Sequence, residues 1–91
     1  MINYLSDEFM LGILAKIQPF QAEIIKTGKS AHLDAHYHFH DWCTEQDHTI
    51  DIDFYVFEGH SLLKTFEFSA GDTEEQAEAV FTSLVAYVHS L

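Results

Sequence analysis

Residues 31–43 read Ala31-His32-Leu33-Asp34-Ala35-His36-Tyr37-His38-Phe39-His40-Asp41-Trp42-Cys43 and alternate between two residue classes. Odd positions carry Ala31, Leu33, Ala35, Tyr37 and Phe39, and even positions carry His32, Asp34, His36, His38, His40 and Trp42. A β-strand turns successive side chains to opposite faces, so this period of two divides the stretch into an apolar face and a polar face. Four of the seven histidines project from one side of one strand.

Immediately upstream, Phe20, Ala22 and Ile24 alternate with Gln21 and Glu23, and Thr27-Gly28-Lys29-Ser30 supplies a turn. Read as a strand, residues 20–26 fold back onto residues 31–43, with Ile24 opposite Leu33, Ala22 opposite Ala35 and Phe20 opposite Tyr37. The competing reading runs the preceding helix on through Lys26, with Pro19 as a kink. The self-consistent register favours the strand.

Downstream, Thr44-Glu45-Gln46-Asp47 forms a turn and His48 to Phe57 the next strand. A four-residue loop sets Phe39 opposite Ile52 and Tyr37 opposite Phe54 on the apolar face. On the polar face it sets His40 opposite Asp51, His38 opposite Asp53 and His36 opposite Tyr55. Gly59-His60-Ser61 then makes a hairpin loop of the kind that carries a glycine and a bulge. It brings Phe66 opposite Phe54, Phe68 opposite Ile52, Glu67 beside Asp53, Thr65 beside Tyr55 and Leu63 beside Phe57. Lys64 falls on the apolar face near a strand end, where its stem can snorkel.

Helices flank the strands. Ser6 caps the first, Asp7 and Glu8 suit the positive end of its dipole, and Leu5 and Met10 are spaced as a hydrophobic staple. Phe9, Met10, Ile13, Leu14 and Ile17 give it one apolar stripe, and Pro19 ends it, so it spans Asp7 to Ile17. The last helix starts from a capping box with Asp72 as cap and Glu75 at the third position, and carries Ala77, Val80, Phe81, Leu84, Val88 and Leu91 on one face.

The expected fold is therefore a single α+β domain over residues 1–91: helix, four-stranded antiparallel meander, helix, with both helices on one sheet face. The alternative is α-β-β-β-α with a longer first helix. That element order resembles the layout of double-stranded RNA-binding domains, and the resemblance is confined to element order, because the basic residues such domains use are absent.

Ninety-one residues with 47% apolar and 14% aromatic content are enough for one modest core. No apolar run approaches the roughly 20 residues of a membrane span, and the N-terminus has no basic-then-apolar leader pattern. One cysteine, Cys43, cannot form an internal disulfide; a cytoplasmic, soluble protein with no membrane partner is the expectation. Fifteen acidic residues face four lysines and no arginine, for a net charge of −11. Phosphate backbones need cations, so direct nucleic-acid binding is excluded and a basic partner is the natural complement.

Two candidate sites emerge on the polar face. His38, His40, Asp51, Asp53 and Glu67 would lie within one or two strand spacings, about 5 to 10 Å. Imidazole and carboxylate are ligands for zinc or nickel, although the spacing matches no metal motif and a face of paired histidines and aspartates needs no cofactor. Ile25, Tyr55, Phe57, Leu63 and Trp42 form an apolar set on the same face, the expected interface of a homodimer. No catalytic residues stand out: the serines lack a nucleophile context, and Cys43, placed on the apolar face opposite His48, is an inert core thiol. The functional expectation is a non-enzymatic acidic interaction protein, homodimeric, meeting a basic partner surface. The alternatives are a small metal- or ligand-binding module on the His/Asp face, and a nucleic-acid mimic inhibiting a DNA- or RNA-binding protein.

Overall fold

In the computed structural model, which describes residues 4–39 and 48–91, the elements follow in the order α1 (Asp7–Ile17), α2 (Pro19–Lys26), β1 (Ser30–Phe39), β2 (His48–Glu58), β3 (Ser61–Phe68) and α3 (Glu74–His89). The strands form one antiparallel sheet in the order β1-β2-β3, so β2 lies at its centre. Every even residue of β2 from Ile50 to Val56 is buried, and the odd residues from Asp51 to Phe57 are only half-buried. All three helices contribute to the core on the even face. Met10, Ile13 and Ile17 of α1, Ile24 of α2, and Ala77, Leu84 and Val88 of α3 join Ile50, Ile52, Phe54, Val56, Phe66 and Phe68 in one buried cluster. Each large member stabilises the fold by about 1.5–3 kcal/mol relative to exposure.

The fourth strand does not form: residues 19–26 are helical. The architecture is the α-β-β-β-α alternative, with its longer first helix broken at Gln18. The reason lies in a spacing that runs through the proline. Met10, Ile13, Ile17, Phe20 and Ile24 recur in steps of three and four, the period of one helix face. As a helix the segment buries Ile24 completely and leaves Ala22 exposed; a strand would have placed both on the core face. Pro19 takes the first position of α2, where its missing N–H has no intrahelical role, and Gln18 stays in the helical region. Phe20 then meets Phe81 of α3 edge-on, ring centroids 6.2 Å apart.

The loss of that strand makes β1 an edge strand. Its pairing with β2 also sits four residues from the expected register: Leu33 lies opposite Phe54, Ala35 opposite Ile52, Tyr37 opposite Ile50 and Phe39 opposite His48. An even shift keeps every side chain on its expected face while changing every partner. Residues 40–47, which hold the expected positions of His40, Trp42 and Cys43, lie outside the described residues.

Between β2 and β3 the expected pairs Phe54–Phe66, Ile52–Phe68, Asp53–Glu67 and Tyr55–Thr65 all form. A bulge next to the turn then places Leu62, rather than Leu63, opposite Phe57. Gly59, at φ +61°, occupies the first turn position, the glycine pattern of a type II′ hairpin. Lys64 extends from its exposed position to 5.7 Å from the Phe66 ring centroid. The cap of α3 is Thr73 in a reciprocal box with Gln76, one residue later than expected for Asp72 and Glu75. Both pairs have capping-box spacing, and the amide of Gln76 donates nothing in the arrangement, accepting from the Thr73 N–H through its oxygen as a glutamate would.

These assignments separate in denaturant. Ile24→Ala should lose about 2–5 kcal/mol of stability, whereas Ala22→Gln should change it by less than about 0.5 kcal/mol. Thr73→Ala should cost about 1 kcal/mol and Asp72→Ala distinctly less, read from urea midpoints at constant slope.

Candidate functional site

The face of the sheet opposite the helices is built from the even residues of β1 and the odd residues of β2 and β3. Register stacks them in rows across the strands: His38 with Thr49, His36 with Asp51, Asp34 with Asp53 and Glu67, and His32 with Tyr55 and Thr65. Ser30, Phe57 and Leu62 close the far end. Histidine therefore occupies one end, three carboxylates the middle and aromatic groups the other end.

At the histidine end the imidazoles pair diagonally rather than directly. His36 Nε2 lies 3.0 Å from Asp53 Oδ2, and His38 Nε2 lies 3.0 Å from Asp51 Oδ2. The four-residue change of register is why His38 meets Asp51 instead of Asp53, and why His36 takes the place expected for His38. A neutral His36 ring donates from Nε2 to the Asp53 carboxylate. Asp51 is further committed: its Oδ1 accepts the Ala70 N–H at 2.9 Å, fixing the chain as it leaves β3. Ala70 in turn accepts from the Leu5 N–H at 2.8 Å, so Asp51 helps to position the entry into α1. Asp51 is thus a structural residue.

The expected five-residue metal set divides accordingly. His38 and Asp51 come together, Asp53 and Glu67 face each other across β2 and β3, and His40 lies outside the described residues. Among the described residues no three His, Cys, Asp or Glu side chains converge in a geometry that holds a metal ion.

The middle row is less well compensated. Asp34, Asp53 and Glu67 stand side by side on three adjacent strands, where directly opposed side chains have Cβ atoms about 4.5–5.5 Å apart. The lysines are engaged elsewhere: Lys16 with Glu78 at 3.5 Å, Lys26 with Glu23 at 3.3 Å, Lys29 with Glu58 at 3.5 Å, and Lys64 over Phe66. Among the described residues, the His36 ring and the Tyr55 phenol reach into the row, both through Asp53.

Beside the row, His32, Asp34, Tyr55, Phe57 and Leu62 line a shallow depression of about 410 Å³. His32 meets Phe57 edge-on at 5.8 Å, and the Tyr55 and Phe57 rings lie 6.4 Å apart. Of the expected apolar set, Tyr55, Phe57 and the exposed Leu63 are on this face. Ile25 is not, because it belongs to α2 on the opposite side; Trp42 lies outside the described residues. Asp34, His32 and Leu62 were absent from the expected sites. Asp34 shares the even parity of the histidines and was legible as a member of this face; Leu62 depended on the bulge.

Partial desolvation of the half-buried Tyr55 phenol raises its pKa above the ordinary 10.0; the charge of Asp53 and a hydrogen bond to it raise it further, followed by the charges of Asp34 and Glu67. The phenol thus senses the field of the carboxylate row. Compared with models of known protein families, with characterised proteins and with solved structures, the chain matches none. Among the described residues, no helix is long and apolar enough to cross a membrane.

Tyr55 supplies a direct probe. In a titration followed by NMR at the tyrosine ring carbons, Tyr55 should ionise above pH 10.0, and Asp34→Asn with Glu67→Gln should move it back towards that value. The native state holds a proton that the unfolded chain releases near pH 10. The Tyr55 contribution to stability is therefore complete below that pH and is lost as pH rises through the raised native value. Tyr55→Phe should flatten this alkaline decline.

Proposed function

We propose that this chain is a non-enzymatic acidic binding module, homodimeric, that receives a basic protein segment on the open face of its sheet. The observation that carries the reading is the Asp34–Asp53–Glu67 row, flanked by Tyr55 and Phe57 while the four lysines are paired elsewhere. Directly opposed like charges destabilise a strand pair, and a cation from outside relieves that repulsion.

The adjacent aromatic groups fit the same partner. An arginine or lysine places its charge among carboxylates and its aliphatic stem or guanidinium plane on an aromatic ring. Carboxylates in bidentate geometry favour arginine over lysine. The net charge of −11 steers basic partners towards the molecule and repels polyanions. A nucleic-acid mimic would need a carboxylate stripe continuing at phosphate spacing, about 7 Å along a strand; the acids of this face instead run across the strands, at about 5 Å per step.

Calorimetry with a short arginine-rich peptide tests the reading. Binding should weaken as salt is raised from 50 to 200 mM, and Asp34→Asn with Glu67→Gln should weaken it by about tenfold or more, about 1.4 kcal/mol. This double variant spares Asp53 and its contact with His36. Glu74→Gln with Glu75→Gln, at the start of α3, removes the same charge elsewhere and should leave affinity within about twofold, since the row and not the net charge holds the ligand. Equal losses in the two variants would defeat the proposal.

A further inference from the structure

We propose that two copies of this chain pair antiparallel through their open β1 edges, with the twofold axis at Ala35, to make one continuous six-stranded sheet. The proposal rests on the homodimer reading above and gives it a surface.

The two-residue turn Gly59–His60 closes on the Glu58–Ser61 pair, and the closing pair of such a hairpin is hydrogen-bonded. Counting along the ladders in steps of two, even residues of β2 bond towards β3 and odd residues towards β1. The even residues of β1 are then the ones bonded to β2, and Ala31, Leu33, Ala35, Tyr37 and Phe39 direct their N–H and C=O groups to the open edge. An independent contact agrees: Gln21 Nε2 donates to the Ala31 carbonyl at 3.3 Å, from outside the sheet.

The two edges of the sheet differ in protection. The β3 edge is interrupted by the bulge and carries Lys64, both devices that discourage strand addition. The β1 edge runs ten residues from Ser30 to Phe39 with no proline, lysine or bulge. From Leu33 to Phe39 it is the edge left able to accept a strand, while at Ala31 the Gln21 side chain already holds the outward carbonyl.

Charge selects both the occupant and the register. Outward-facing odd residues must pair with odd residues, which keeps the helices of both copies on one side of the sheet. Two registers give the greatest overlap. Centring on Asp34 opposes Asp34 to the partner's Asp34, and like charges there repel. Centring on Ala35 opposes Asp34 to the partner's His36 twice over, once on each side of the axis. His36 has Nε2 on Asp53, and a ring protonated on both nitrogens offers its Nδ1–H to the partner's Asp34 as well. The strand is thus complementary to a reversed copy of itself.

The apolar face agrees with the same register. Tyr37 and Phe39 are 64% and 79% exposed although they share the core parity of β1, because the helices cover only the Ala31–Leu33 end. Ile25 of α2 is 60% exposed and lies one helical turn from Gln21, on the side that reaches the β1 edge. Centring on Ala35 sets Tyr37 opposite the partner's Leu33 and Phe39 opposite the partner's Ala31, beside the partner's Ile25. Tyr37 and Phe39, which both pack against His48 within one copy, are brought by one symmetry operation to the separate Ile25 of the other.

Sedimentation equilibrium and amide exchange test this on the full chain. The wild type should sediment at twice its 10.5 kDa mass, with the Leu33, Ala35 and Tyr37 N–H groups protected as concentration rises. Ala35→Pro removes an N–H that the β1–β2 ladder does not use, and should raise the dimer dissociation constant at least a hundredfold. Should that proline prevent folding, the charge series decides. Asp34→His or His36→Asp alone should weaken the dimer tenfold or more, and the Asp34→His, His36→Asp exchange should restore it. A wild type that stays at 10.5 kDa up to millimolar concentration overturns this interface and the homodimer together, whatever the peptide calorimetry gives. A dimer indifferent to the charge series overturns the β1 interface alone and leaves a dimer formed through another face.

Discussion

The structure depends on the burial of one row of side chains, Ile50, Ile52, Phe54 and Val56, along the middle strand of a three-stranded sheet. Each residue of that row has a paired neighbour on β1, and none is more than 1% exposed. Fixing it orients everything else. The neighbours at Leu33 and Ala31, and at Phe66 and Phe68, must present their apolar parity to the same side, and all three helices must lie there. The odd residues Asp51, Asp53, Tyr55 and Phe57 are then turned to the opposite face by geometry alone. The candidate binding face is the reverse side of the core, and the alternation that builds one builds the other.

That common origin explains what was legible in the sequence. Parity survives any even change of register, so the membership of the polar face was readable from residues 31–39 and 48–57 before any partner was known. The pairing of β2 with β3 was also readable, because a turn at Gly59 leaves little freedom in the register. The pairing of β1 with β2 was not: eight residues separate Phe39 from His48, and several even shifts satisfy the same apolar pattern. The segment 20–26 failed for a different reason. Over seven residues, Phe20, Ala22 and Ile24 satisfy a period of two while Phe20 and Ile24 satisfy a helical one. Only the continuation back to Ile17 and Met10 separates the two, and Pro19 interrupts that comparison locally without interrupting it in space.

The carboxylates of the polar face show how residues of one type on one surface divide into different roles. Asp51 spends one oxygen on the Ala70 N–H and the other on His38, and its loss would loosen the start of α1 and the end of β3 together. Asp53 shares His36 but stands between Asp34 and Glu67. Each directly opposed like pair costs the sheet about 0.2–1 kcal/mol, small against the burial of a single core isoleucine. A stable core can therefore carry an unfavourable row, and the position of such a row says more about binding than the total charge does.

The two proposed interactions act on overlapping charges and respond oppositely to salt. Association of two copies, each with a net charge of −11, works against long-range repulsion even where Asp34 meets the partner's His36. Screening shortens that repulsion to about 8 Å at physiological ionic strength, leaving the close contacts largely intact, so salt favours the paired edges. The same screening weakens attraction of a basic segment to the carboxylate row. The interactions are also linked in space, because pairing at Ala35 extends the row Glu67–Asp53–Asp34 onto the partner's His36 and lengthens the face available to a ligand. A basic segment long enough to span the axis would neutralise carboxylates on both copies and relieve the repulsion between them. Such a ligand and the edge pairing would then strengthen each other, by equal factors in the two affinities, as linkage requires.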